Sequence, residues 1–178
     1  MTLRQISEVG ALPIVDLDSG DVLGQITGWV VSPEEQKVLA YLLQKSGWLT
    51  RGQIVLDADI VEYGPRMLIV NDPSAVISPE EVIGLPQLIE RRSTIVGYDA
   101  RDETGQSLGQ VQDFVFDITS GLIQRYYVRP SLISALTSND LVLNRDEVIE
   151  IKDRRIVFRR DALVPIASGE TQIEPRLT

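Results

Sequence analysis

Short runs of apolar and β-branched residues recur along this chain, and clusters of Gly, Pro, Asp and Ser separate them. Such short runs between turn signals are typical of β-strands. In the first half the pattern predicts strands at residues 12–17, 24–31, 37–43, 52–56, 60–61 and 67–70. In the second half it predicts strands at residues 93–98, 110–116, 122–128, 141–143, 148–151 and 156–158. Many short strands with little helix indicate an all-β protein built from barrels or sandwiches.

One stretch of this pattern occurs twice, with a constant separation of 85 residues. Residues 19–31, SGDVLGQITGWVV, return as residues 104–116, TGQSLGQVQDFVF. The pairing continues without a gap as far as Tyr41 and Tyr126. Internal duplication of this kind predicts two similar structural units.

Two glycines in each copy suggest what the backbone of the repeat requires. Gly20 and Gly105 lie in small polar turns, where glycine tolerates positive φ. Gly24 and Gly109 follow in each copy and suit a β-bulge or a close backbone approach. Each copy is therefore predicted to be a hairpin in which a turn leads into a long bent strand.

The chain divides into two units, a connector and a tail. The boundaries are residues 1–76 for the first unit, 77–92 for the connector, 93–165 for the second unit and 166–178 for a loose tail. Residues 78–81, SPEE, have the Ser, Pro and acids of a helix start, so the connector is predicted to be helical. The separation between copies widens to 87 where residues 141–143 match residues 54–56, and to 88 where residues 148–151 and 156–158 match residues 60–63 and 68–70. The helical connector favours two barrels, each with its own core, over one continuous barrel made from both halves.

Composition excludes several classes of function. The chain contains no cysteine and no histidine, and its formal net charge is −9. Disulfides, thiolate or imidazole catalysis and the usual zinc ligands are therefore excluded. An acidic surface repels phosphate backbones, so no nucleic-acid binding is expected. Since no signal peptide and no apolar run of ~20 residues is found, we expect a cytoplasmic protein without a membrane span.

Carboxylates in turns are the remaining candidates for metal binding or acid–base chemistry. The acidic turn at residues 16–21 resembles a calcium loop, but its Gly and Asp fall outside the register that such a loop needs. The pairs Asp57/Asp59 and Asp146/Glu147 fall between short strands, where acids are usually solvated loop residues. We therefore predict no catalytic residue, no cofactor and no metal, and a protein that is not an enzyme.

The repeated pattern resembles the PRC-barrel. Residues 12–70 and 95–158 each contain a first strand, the motif (S/T)-G-x-x-L-G-x-(I/V), an aromatic-aliphatic strand, a returning strand and an apolar closing segment. Residues 117–121, DITSG, fit the family's D-x-x-(T/S)-G turn, whereas residues 32–36, SPEEQ, lack both the Asp and the Gly. This small β-barrel occurs in the photosynthetic reaction-centre H subunit and in the ribosome maturation factor RimM. The resemblance implies two small β-barrels and a general role in docking onto other proteins.

The function that follows is a non-enzymatic interaction or assembly module with an unidentified protein partner. The competing class is a small-molecule or anion-binding sensor with a ligand in the cleft between the two barrels. A co-purified ligand would favour the second class, and partner capture that survives removal of small molecules would favour the first. An enzyme that uses carboxylates alone comes third.

Candidate partner contacts are a loop tryptophan and a basic cluster. Trp48 has no counterpart in the second copy, and a tryptophan in a loop suits a surface anchor. The basic cluster surrounds the apolar residues 156–158 and comprises Lys152, Arg154, Arg155, Arg159 and Arg160. These charges would also discourage edge-to-edge pairing of a solvated strand. As a contact surface they would bind an acidic partner, and binding to the first barrel of a second copy would give a homo-oligomer.

Overall fold

A computed structural model describes residues 2–44, 52–130 and 140–159 of the chain. The first half forms the strands β1 (Leu3–Gln5), β2 (Pro13–Asp16), β3 (Val22–Ser32), β4 (Lys37–Gln44), β5 (Gln53–Leu56), β6 (Ile60–Tyr63) and β7 (Leu68–Val70). The second half forms β8 (Asp99–Asp102), β9 (Ser107–Asp117), β10 (Ile123–Arg129), β11 (Leu141–Asn144), β12 (Val148–Lys152) and β13 (Arg155–Phe158). The helices described are α1 (Ile6–Val9) and α2 (Leu85–Glu90), with short 3-10 turns at Asp57–Asp59, Pro73–Ala75, Pro79–Glu81 and Arg145–Glu147. The all-β prediction is confirmed.

The two halves form two sheets with the same strand order. The first sheet has the order β5–β4–β3–β2–β7–β6, and the second has the order β11–β10–β9–β8–β13–β12. Each sheet contains one parallel pair, β2 with β7 in the first and β8 with β13 in the second. The central aromatic residues occupy equivalent registers, since Trp29 pairs with Tyr41 and Phe114 pairs with Tyr126. The predicted duplication is therefore present in three dimensions.

Strands β5 and β11 match at a separation of 88 residues rather than the predicted 87. Tyr41 pairs with Val55, whereas its counterpart Tyr126 pairs with Leu143. The 3-10 turns that follow β5 and β11 fall at the same separation. A separation of 87 aligns similar residue types in the sequence. The structural equivalence is defined instead by the residue that pairs with the tyrosine, and it gives 88.

The strand predicted at residues 93–98 is wrong. Ile95 has a φ of 68° and Gly97 a φ of 85°, and these left-handed values are incompatible with an extended strand. The strand lies later, at β8, whose pairing with β9 repeats the pairing of β2 with β3. The β8 sequence Asp-Ala-Arg-Asp contains a single apolar residue, so its periodicity does not indicate a strand.

The connector starts with the predicted helical turn and covers one face of the first sheet. Ser78 forms a capping box with Glu81 around the 3-10 turn Pro79–Glu81. Helix α2 then opens with Pro86 in its first turn, where proline needs no N–H donor. A small apolar cluster, separate from the main core, consists of Leu85, Val30, Ala40 and Ile54.

One apolar core extends through both sheets. It contains buried residues from both halves, including Ile14, Tyr41, Phe114 and Tyr126. The ring of Trp29 meets the ring of Phe114 edge to face, with centroids 6.5 Å apart. The expectation that each barrel has its own core is therefore wrong. Because small units bury a smaller fraction of their surface than large ones, packing the two sheets against each other enlarges the core that both share.

Equivalent contacts cross between the halves in both directions. Val38 donates its backbone N–H to the carbonyl of Gly121 (2.9 Å), and Ile123 donates to the carbonyl of Gln36 (2.8 Å). Val38 is equivalent to Ile123, and Gln36 is equivalent to Gly121. The two bonds are therefore related by an approximate twofold axis, as are the two aromatic rings of the shared core. One polypeptide thus has the internal arrangement of a twofold dimer.

Each half also supplies a segment to the long strand of the other half. Strand β1 pairs antiparallel with β9, with Arg4 opposite Phe116. In the other direction Val31 of β3 donates its N–H to the carbonyl of Ser93 (2.7 Å), and the Ser93 hydroxyl donates to the Val31 carbonyl (2.8 Å). The N-terminal strand therefore completes the second sheet, although the predicted boundaries assign it to the first unit.

Candidate interaction surfaces

The basic cluster lies on the hairpin formed by β12 and β13. Its turn residues Asp153 and Arg154 have φ values of 50° and 59°, as in a two-residue type I′ turn. Lys152, Arg154 and Arg155 are exposed around this turn, and Arg159 is exposed at the other end of β13. The structure thus brings Lys152, Arg154 and Arg155 together and separates Arg159 from them.

Acidic and aromatic groups share this basic surface. The guanidinium carbon of Arg154 lies 5.6 Å from the centroid of the Tyr98 ring, within the range of a cation–π contact. Beside it lies a cleft of about 750 Å³ with six charged side chains in its walls. They are the basic Arg91, Lys152 and Arg154 and the acidic Glu34, Glu150 and Asp153. Because the charges balance, this cleft does not favour an anionic ligand.

The last two predicted contact residues, Trp48 and Arg160, lie outside the described residues. Their role as partner contacts stays a prediction, as does the role of the arginines on the hairpin.

The turn glycines of the two copies have the same backbone conformation. Gly20 and Gly105 have φ values of 74° and 87°, which glycine adopts without strain. Each turn is closed by a buried aspartate at the end of the preceding strand, Asp16 in the first copy and Asp102 in the second. A hydroxyl in each turn donates to this carboxylate, at 2.5 Å in the first copy and 2.6 Å in the second.

The two glycines at the start of the long strands differ from each other. Gly109 has a φ of 132°, and a Cβ there would lie 2.7 Å from the carbonyl carbon of Arg129 and closer still to its oxygen. Gly24 has no positive φ, and a Cβ there would meet the side chain of Leu43 at 3.3 Å. Backbone geometry therefore requires glycine at position 109, while position 24 is only tightly packed.

A second cleft lies where the connector meets both halves. Its volume is about 550 Å³, and its walls come from β4, the 3-10 turn after β5, the connector and residues 118–120. We call it the apolar cleft, after the residues that dominate its lining: Val38, Leu39, Leu56, Ile60, Val82, Ile83, Leu85, Leu88 and Ile118. Ile83 is 103% exposed. A large aliphatic side chain held in water beside an apolar groove marks a candidate binding surface.

A buried carboxylate stands in the wall of the apolar cleft. Asp57 accepts hydrogen bonds from the hydroxyls of Tyr41 (3.0 Å) and Tyr63, and it is 8% exposed. Burial raises the pKa of Asp57, while the tyrosine hydroxyls and the positive charge of Lys37 act in the opposite direction. Burial also raises the pKa of both tyrosines. The Asp57 carboxylate and the two tyrosine hydroxyls therefore form a buried polar cluster in the wall of the apolar cleft.

The family model of the PRC-barrel domain matches this chain twice, over residues 1–77 and 89–165. The chain belongs to the PRC-barrel family. The two matches follow the two sheets, apart from β1, which pairs in the second sheet. PRC-barrel domains are small β-barrel modules that are often involved in interactions.

The second PRC barrel has a cleft in the equivalent position with a different lining. This polar cleft has a volume of about 500 Å³, and its walls contain Leu3, Gln124, Arg125, Asn144, Arg145, Asp146 and Glu147. Where the first barrel has Leu39 and Asp57, the second has Gln124 and Arg145, at separations of 85 and 88. The PRC-barrel fold therefore does not require the apolar lining.

Sequence reasoning missed the apolar cleft and misjudged one of its residues. It treated Asp57 as a solvated loop acid, whereas the structure buries it against two tyrosines. The available signal was the contrast between the aligned copies, such as Leu39 against Gln124. That contrast becomes informative only when the sheet topology shows that both residues line a cleft.

Over the described ranges, the chain contains no helix with the length and apolarity needed to span a membrane. Within the same ranges, no group of three or more acidic side chains is arranged to hold a metal ion.

Proposed function

We propose that this tandem PRC-barrel protein is a non-enzymatic interaction module that binds a partner protein within an assembly. The observation that carries this proposal is that equivalent residues of the two barrels are alike in the core and differ at the surface. Tyr41 and Tyr126 are equivalent and fully buried. At the surface, Met67 of the first barrel stands where the second has Arg155, at the separation of 88. Surface residues that differ between copies of one fold are not required by that fold, so they are free to serve binding.

The way the barrels are joined supports a binding role. The shared core and the reciprocal hydrogen bonds fix both barrels relative to each other. Surfaces held in a fixed relation lose little conformational entropy when a partner binds. A basic hairpin and an apolar cleft are therefore presented together by two barrels that share one core.

Capture of partner proteins from the source cell, after removal of small molecules, tests this function. We expect the wild-type chain to retain a partner, and the Arg154→Ser/Arg155→Ser variant to retain less of it at low salt, because opposite charges steer association. The charge-matched control is Arg66→Ser/Arg125→Ser, which removes two exposed arginines elsewhere. Circular dichroism verifies that both variants fold. If the wild type retains no protein, the proposed function is wrong; if both variants retain the partner equally, the hairpin is not the contact.

A second candidate function is a small-molecule sensor, because the apolar cleft has a volume of about 550 Å³, within the range of small-molecule sites. Mass spectrometry of the purified, denatured protein would detect a bound apolar compound. We expect none to be retained at stoichiometric level if the cleft serves a protein partner.

A further inference from the structure

We propose that the apolar cleft binds a cationic amphipathic helix of a partner protein, an inference that rests on the interaction function proposed above. The polar cleft of the second barrel serves as an internal comparison for this assignment. The two clefts share the same fold and nearly the same volume. The connector lines the apolar cleft and does not line the polar one, so Leu39 and Leu88 pack within the chain. Ile83 remains exposed to solvent in the apolar lining.

The exposed isoleucine identifies which part of the apolar cleft a partner would cover. Ile83 immediately precedes Gly84, which has a φ of 81°, and this turn holds the isoleucine side chain in solvent beside the groove. Leu39 and Leu88 also line the groove, and both are partly buried against the small apolar cluster around Leu85. An apolar helix face placed in the groove would remove Ile83 from water and extend this cluster.

The charge around the apolar cleft favours a basic occupant. Asp59, Glu80 and Glu81 are exposed and adjoin lining residues in the chain. Lys37 is the basic side chain among the residues that line the cleft, and Asp57 lies in the wall. A helix with Lys or Arg beside its apolar face would meet the exposed carboxylates of Asp59, Glu80 and Glu81. The net charge of −9 would attract such a helix at long range.

Two synthetic helices serve as probes for this proposal. Both are fluorescein-labelled peptides of about 15 residues with Leu at i, i+3, i+4 and i+7 and Ala elsewhere. One carries Lys at its charged positions and the other carries Glu. We expect fluorescence anisotropy to show binding of the Lys peptide to the full chain, weakened by salt, and no binding of the Glu peptide.

Two variants of the full chain locate the binding site. Ile83→Ser removes the exposed isoleucine, and Leu39→Gln introduces the residue that the second barrel tolerates at the equivalent position. We expect each to weaken binding of the Lys peptide by about tenfold or more. The matched control is Ile149→Ser, since Ile149 is 51% exposed on β12 and does not line the apolar cleft.

Three results would overturn the proposal: absence of binding by the Lys peptide, equal binding of both peptides, or binding that Ile83→Ser and Leu39→Gln leave unchanged. Binding of the neutral dye Nile red that both variants abolish, without peptide binding, would overturn it in favour of a small apolar ligand. If the partner from the source cell is retained equally by the wild type and both variants, the interaction function stands and the assignment of the cleft falls.

Discussion

Gly24 and Gly109 are aligned glycines in the two copies, yet their structural roles differ. Replacing each glycine by alanine in a separate variant distinguishes these two roles. We expect Gly109→Ala to lower the free energy of unfolding by about 1–3 kcal/mol or more, because the positive φ and the Arg129 carbonyl both oppose a side chain. We expect Gly24→Ala to change it by no more than about 1 kcal/mol, since the Leu43 side chain can yield and alanine restricts the unfolded chain.

Denaturant unfolding of the two alanine variants and the wild type measures this difference. Equal destabilisation at the two positions would show that the close approach at Gly109 relaxes without cost. It would also restore the simpler expectation that both glycines serve the same purpose.

Asp57 provides a pH-dependent prediction at the residue scale. Its folded-state pKa is raised above 3.8 by burial, so ionisation of this group destabilises the folded state. The contribution of the neutral carboxyl is fully present below the unfolded pKa and is lost as the pH rises through the folded pKa. Asp57→Asn keeps an acceptor for Tyr41 and Tyr63 without the charge. We therefore expect the melting temperature of the variant, relative to that of the wild type, to increase from about pH 3 to about pH 7.

Thermal melts across this pH range, with Asp59→Asn as the control, test the expectation. Asp59 lies in the same 3-10 turn but is exposed, so the control corrects for the loss of one negative charge. A difference between Asp57→Asn and wild type that stays constant or falls with rising pH would contradict the buried-carboxyl account.

At the scale of elements, periodicity predicts strands whose side chains face one common core. Strands β3, β4, β9 and β10 have such patterns, and the predicted runs lie within or close to them. Strand β8 has polar residues at three of its four positions, and its pairing with β9 and β13 defines it instead. Long-range pairing of this kind leaves no local signal in the sequence.

The same reason explains why the sequence did not reveal the segments that cross between halves. Strand β1 has three residues, too few to show alternation, and its partner β9 is more than a hundred residues away. Ser93 gives no sign that it bonds to Val31. The apolar cleft is formed by the elements that such distant contacts bring together, so its position could not be predicted either.

At the scale of the whole molecule, the shared core makes the two barrels depend on each other. We expect fragments 1–92 and 93–178, which keep helix α2 whole, to lack a cooperative thermal transition when separated. Each would expose its own ring of the Trp29–Phe114 contact and lose its bonds to the other half. Mixing the fragments at equal concentration should restore the transition at a concentration-dependent temperature.

Circular dichroism melts of each fragment, of the mixture and of the intact chain provide the measurement. A fragment that melts cooperatively by itself, close to the temperature of the intact chain, would show that one barrel is self-sufficient. The intact chain gives the reference melting temperature.

The approximate twofold axis has a genetic consequence. If a single-barrel chain formed the same arrangement as a homodimer, every substitution would appear in both protomers at once. A change that made one cleft apolar would then expose the same apolar side chains in the other. In a tandem chain, Leu39 and Gln124 are specified by separate codons, so each side of the axis can mutate alone. A tandem chain is therefore equivalent to a heterodimer with fixed stoichiometry. One of its clefts can become apolar while the other keeps a polar lining.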